Sequence, residues 1–149
     1  MTEVLFYHLT ESTLEAALPP LLEKSVARGW RVVVQTGSVE RRYALDAHLW
    51  SWRDDSFLGH GLDTDPHAVE QPIVLTTGPD NPNGATVRFV VDGAQPPSLA
   101  DYERGVLVFD GHDDDQLQAA RSHWKQLREA GHAVTYWQQG EGGRWEKRA

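Results

Sequence analysis

The sequence predicts an α/β domain built on a largely parallel sheet, and three observations predict it. Short apolar, β-branched segments alternate with longer amphipathic ones, and turn-forming residues bound them. Several of the short segments are apolar at consecutive positions, as in Val32-Val33-Val34 and Val106-Leu107-Val108-Phe109. Such a strand hides both of its faces, which is what helices on both sides of a parallel sheet provide.

Val4 to Leu9 reads as the first strand and Leu14 to Arg28 as the first helix. A break is expected at Pro19-Pro20, because proline inside a helix removes a backbone donor and crowds the preceding turn. Arg31 to Gln35 reads as a strand, and Gly37-Ser38 offers a tight turn and a cap for a helix over Val39 to Trp50. Ile73 to Thr76, Val87 to Val91 and Val106 to Phe109 read as further strands. Asp110, Asp113, Asp114 and Asp115 precede a helix over Asp114 to Ala130, where carboxylates favour the positive end of the helix. Gly131 suits its C-terminal cap, and Ala133 to Gln138 reads as a last strand. Pro79-Asp80-Asn81-Pro82-Asn83-Gly84 and Gln95-Pro96-Pro97-Ser98 are turn clusters too short for interdomain linkers, so residues 1–149 read as one domain.

Composition narrows the function classes. There is no cysteine among the 149 residues, hence no disulfide framework and no thiolate metal site, and a reducing cytoplasm is the expected location. Met1 to His8 lacks a basic region followed by a long apolar run, and no later segment approaches membrane-spanning length, so a soluble, non-exported chain is expected. A net charge of −8 opposes general attraction to a phosphate backbone, although a local basic patch can still hold an anionic group at short range.

Cofactor chemistry is not signalled. The first strand runs into His8-Leu9-Thr10-Glu11-Ser12 without the glycines of a phosphate loop, and no P-loop is present. The aspartates 110, 113, 114 and 115 lack calcium-loop spacing and read as helix caps. His48, His60, His112 and His123 lack zinc-motif spacing and read mostly as surface residues. His60 with Asp63 or Asp65 is the kind of acid–base pair that any acidic chain offers by chance. No catalytic group, metal or cofactor is expected.

The informative stretch lies in the predicted third helix. Arg121, Trp124, Lys125 and Arg128 fall at i, i+3, i+4 and i+7, which puts three cations and an indole on one face, while Leu117, Ala120, Leu127 and Ala130 lie mostly on the adjacent one, toward the sheet. Two readings stand side by side: a solvated helix flank with Trp124 at the core boundary, or a receptor for a ligand both acidic and apolar, such as an acidic peptide ending in an aromatic residue. Near the second helix's end, Trp50 and Trp52, with Phe57 further on, either close the core or form a partner-facing patch.

From end to end the sequence resembles the chi subunit family of DNA polymerase III. The resemblance is carried by Phe6-Tyr7, Ala27-Arg28-Gly29-Trp30-Arg31-Val32, Leu45-Asp46 with Leu49-Trp50 and then Ser56-Phe57-Leu58, Asn81-Pro82-Asn83-Gly84, and Ala130-Gly131-His132 with Tyr136-Trp137-Gln138. It implies a Rossmann-like α/β domain without a nucleotide. It implies a non-catalytic role linking the clamp loader to single-stranded-DNA-binding protein, with DNA reached indirectly. That protein's acidic C-terminal tail would dock on Arg121, Trp124 and Lys125, with Arg128 nearby; relatives carry tyrosine in place of Trp124. A psi subunit would meet the surface around Trp50 and Phe57, where Phe57-Leu58-Gly59-His60 departs from the proline that many relatives have before the histidine. Adaptor, single-strand nucleic-acid binder and small α/β enzyme are the three hypotheses, in that order.

Overall fold

Alternation along the strands sorts side chains to two sides and decides how the layers assemble. The computed structural model describes residues 2–52 and 59–149. The described elements are β1 (Glu3–Leu9), α1 (Leu14–Ala27), β2 (Val32–Gln35), α2 (Val39–Ser51), β3 (His60–Leu62), β4 (Ile73–Thr76), β5 (Val87–Val90), β6 (Arg104–Asp110), α3 (Asp114–Glu129), β7 (Ala133–Gln139) and β8 (Trp145–Lys147). They form one mixed sheet in the order β3-β4-β2-β5-β6-β1-β7-β8, parallel at every described pairing except the antiparallel β7–β8 pair. The expected Rossmann-like, mostly parallel arrangement is present. No helix among the described residues is long and apolar enough to cross a membrane.

Val32 and Val34 point to the side covered by α1 and α2, where they meet Leu18, Leu22, Leu45 and Leu49. Val33, Val4 and Phe6 point to the other side, where α3 contributes Ala120 and Leu127. This two-sided burial is why β2 is apolar at each of its three valines. Because β1 lies between β6 and β7, the crossover from β6 to β7 lays α3 over β1, and this sets up the site described below.

Helix ends follow the sequence closely. The Ser38 hydroxyl accepts from the Arg41 amide and the Asp113 carboxylate from the Gln116 amide, as N-caps do. At both Gly29 and Gly131, φ is positive and a Schellman pair of bonds closes the helix: His132 N–H to Leu127 C=O and Gly131 N–H to Arg128 C=O for α3, Trp30 to Ser25 and Gly29 to Val26 for α1. The Asn81-to-Gly84 turn is structural as well. Asn81 exchanges two hydrogen bonds with the backbone of Ala85, and the Asn83 amide donates to the carbonyls of Val32 and Gln71.

Three expectations need correction. Pro19-Pro20 does not break α1, which runs continuously from Leu14 to Ala27. Pro19 leaves the Glu15 carbonyl without its helical donor, and the His48 ring on α2 supplies one, Nε2 donating at 2.6 Å. Pro20 is exposed, as is Ala16, to whose carbonyl it cannot donate, so that loss falls on the solvent side. Two edge strands, β3 and β8, escape the sequence reading because each has only three residues, with Gly61 in one and two charged side chains in the other. His60 and His123 are buried instead of lying at the surface.

His48→Ala should strand the Glu15 carbonyl and destabilise the protein by about 1–2 kcal/mol, a loss of several degrees in Tm. In a Pro19→Ala background, where the helix again supplies its own donor, the same substitution should cost measurably less. A thermal-unfolding cycle of the four proteins checks this.

Candidate recognition site on the third helix

Edge-to-face aromatic contacts build the site. Phe6 on β1 and Tyr136 on β7 are register partners and stand side by side on the α3 face of the sheet. Trp124 sets its ring against both, at 5.5 Å and 69° from Phe6 and 5.7 Å and 79° from Tyr136. Such contacts favour the positive ring edge meeting the negative face of its neighbour. Trp124 is therefore half-buried, a wall of the core on one side and of the surface on the other.

Two depressions flank that ring. One is an apolar pocket of about 360 Å³, formed by Leu117, Ala120, Arg121 and Trp124 of α3 with His8, Phe109 and Tyr136 from three strands and Ala149. The other is shallow and bounded by Trp124, Lys125, Arg128 and Glu129. The Arg128 guanidinium lies 5.7 Å from the Trp124 ring centroid. Arg121, Lys125 and Arg128 are exposed, and none forms an ion pair among the described residues. All four residues singled out on this helix by their spacing therefore share one surface.

The pocket floor holds residues that helical spacing does not reveal. His8 stacks on Phe109 at 4.8 Å, and its Nδ1 is 2.6 Å from the Tyr136 hydroxyl. Burial holds the His8 imidazole below its ordinary value; His112 pushes the same way and Asp110 opposes. Burial raises the Tyr136 phenol, with Arg121 pulling it back. Gly111 makes room for this arrangement, since a Cβ there would fall 2.0 Å from His8 Nε2 and 2.9 Å from the Leu9 carbonyl. The visible signal for His8 was its place two residues after Phe6 on the same strand face.

Trp50 is not part of this surface. It lies near the C-terminal end of α2, across the sheet, 58% exposed, with its ring 4.6 Å from that of His60. Val39 and Tyr43, on the same helix, are also exposed large hydrophobics and were missed. Phe57 lies outside the described residues.

The crevice at the strand C-terminal ends, where Rossmann-like folds hold phosphates, is filled differently here. It measures about 320 Å³ and its lining includes Glu11, Glu15, Asp92 and Asp110 against Arg41. The amides of Thr10, Glu11 and Ser12, placed where a phosphate loop would present its donors, all donate to Gln139 Oε1 at 3.0–3.1 Å. Among the described residues no group of three or more His, Asp or Glu side chains could hold a metal ion.

Fold and surface together define an α/β domain whose third helix carries an apolar, aromatic pocket rimmed by basic side chains. The family model described as "DNA polymerase III chi subunit, HolC" matches residues 1–135, and the chain belongs to that family. It is 28% identical over 139 residues to the "DNA polymerase III subunit chi" of Pseudomonas aeruginosa, covering 90% of this chain and 94% of that protein. It is 27% identical over 109 residues to the "Probable DNA polymerase III subunit chi" of Rickettsia prowazekii, covering 73% of this chain and 66% of that protein's length.

Two histidines, the half-buried His8 and the buried His123, set a pH dependence. His8 and His123 are both held below the ordinary value of 6.5, chiefly by burial. The native state then binds fewer protons than the unfolded chain, so stability is full above that value and declines as the pH falls through it. Urea unfolding of wild type should show a midpoint that drops between about pH 7.5 and about pH 5.5, and His8→Gln should show a smaller drop.

Proposed function

We propose that this chain is a non-catalytic accessory subunit of DNA polymerase III that ties the clamp-loader complex to single-stranded-DNA-binding protein by receiving that protein's acidic C-terminal tail at Trp124. The observation that carries this reading is the set of three cations, Arg121, Lys125 and Arg128, none of them ion-paired among the described residues, gathered round an apolar pocket on a chain whose net charge is −8. A terminal aromatic ring of the tail enters the pocket against Trp124 and the aliphatic stem of Arg121. The tail's carboxylates lie over the cations. Apolar burial and charge are recognised together, and neither suffices alone.

The other proposed contact is a psi subunit, or another clamp-loader subunit, on the exposed face of α2. Trp50, Tyr43 and Val39 supply apolar area there, and Phe57 belongs to the same proposal. The two surfaces sit on opposite sides of the sheet, a placement that lets one domain of residues 1–149 hold two partners at once. This role sits in the cytoplasm, needs no cofactor and reaches DNA through its partners.

A flexible peptide loses conformational freedom on docking, so a dissociation constant on the order of micromolar is expected, about −8 kcal/mol. Calorimetric titration with a peptide of aspartates ending in phenylalanine should show binding that weakens with salt. Arg121→Ala and Lys125→Ala should each cost roughly 1–3 kcal/mol. Trp124→Ala should weaken binding by a comparable amount, with Trp124→Phe retaining part of the affinity. Equal affinities across these proteins would place the tail elsewhere, and no binding to wild type would end the adaptor reading.

A further inference from the structure

A second basic and aromatic groove lies on the opposite face of the sheet. It is enclosed between the C-terminal half of α1 and the β1–β7–β8 edge and measures about 250 Å³. Its aromatic lining includes Tyr7, Trp30, Trp137 and Trp145, with the Tyr7 and Trp145 rings 4.6 Å apart. Lys24 and Arg28, one helical turn apart, stand on one side and Arg104 of β6 on another. The guanidiniums of Arg28 and Arg104 lie 5.0 and 4.8 Å from the Trp30 ring centroid. Lys147 is paired directly across from Trp137 in the β7–β8 ladder, which puts it on the same face. Among the described residues, Lys24, Arg28 and Lys147 form no ion pair, and Arg104 meets Glu3 at 3.3 Å.

We propose that this groove binds single-stranded nucleic acid, one base stacking among the tryptophans while neighbouring phosphates meet the cations of α1, β6 and β8. Flat aromatic walls suit a planar base, which stacks with little regard to sequence. The cations come from three separate elements, an arrangement that suits charges repeated along a strand. A peptide would also need partners for its backbone amides and carbonyls, and two of the groove's neutral polar groups are already engaged. The Ser25 hydroxyl donates to the Leu21 carbonyl and the Trp137 indole N–H to the Thr135 hydroxyl. The net charge of −8 keeps the interaction local and weak. This site is independent of the tail pocket and stands or falls separately.

The test is fluorescence anisotropy of a short labelled oligothymidylate at low ionic strength. Binding is expected to fall with salt at a log–log slope of about −2, since each phosphate contact on a single strand contributes about 0.7. Arg28→Glu and Lys147→Glu, both at exposed positions, should each weaken it roughly tenfold and flatten the slope. Arg121→Glu should bind the oligonucleotide like wild type. Of the six indole N–H resonances, those of Trp30, Trp137 and Trp145 should shift, and that of Trp124 should not. The proposal is overturned by no binding at low salt, or by loss of binding in Arg121→Glu with retention in both groove variants. Oligoglutamate, or free thymidine monophosphate, occupying the groove as tightly as the oligonucleotide would also overturn it.

Discussion

The packing of Trp124 between the sheet and the solvent is the contact on which the rest of the proposed recognition surface depends. A smaller residue there would let α3 settle on Phe6 and Tyr136 without leaving a wall standing above them. Because the indole meets both rings edge-on, its plane rises from the sheet and divides the surface into a deep apolar side, with Arg121, and a shallow basic side, with Lys125 and Arg128. The topology makes this possible. A crossover from β6 to β7 over β1 brings His8, Phe109 and Tyr136 from three strands under one helix. Gly111 then lets the chain turn past the His8 ring.

Charge is distributed in two ways on this acidic chain. Among the described residues, Arg41, Arg42, Arg104 and Arg148 are matched by carboxylates within the fold, while Arg121, Lys125 and Arg128 on one face and Lys24, Arg28 and Lys147 on the other are not. Matched pairs at a surface contribute little to stability. An unmatched cation next to an aromatic ring keeps its field for a ligand, and the surrounding excess of acid confines that field to short range. Polar donors show the reverse economy at the strand ends. Gln139 takes three amides that in other Rossmann-like proteins would face a phosphate, and acidic side chains line the crevice.

Much of this was legible in the sequence where the signal is local. The six longer strands announced themselves by β-branched runs, and the caps at Ser38, Asp113 and Gly131 by residue type. The stripe Arg121, Trp124, Lys125, Arg128 was legible because helical spacing alone puts it on one face. What escaped depends on residues far apart in the chain. Pro19 is tolerated because a histidine on another helix takes the carbonyl that it orphans. The pocket floor of His8, Phe109 and Tyr136 exists only once parallel register has set β6, β1 and β7 side by side. Periodicity could not decide between a buried and an exposed Trp50, since an aromatic at a helix end is compatible with either; the fold leaves it exposed.

The central claim is that Trp124 and a terminal aromatic ring of the bound tail touch each other while the cations hold the carboxylates. A double-mutant cycle measures that contact directly, pairing Trp124→Ala with a tail peptide that lacks its last aromatic residue. Residues in contact are energetically coupled, and separated ones are additive. The account predicts a coupling of about 1–2 kcal/mol, with the truncated peptide nearly indifferent to the loss of Trp124. Additive losses would contradict it, because the ring of the tail would then lie somewhere other than the Trp124 pocket.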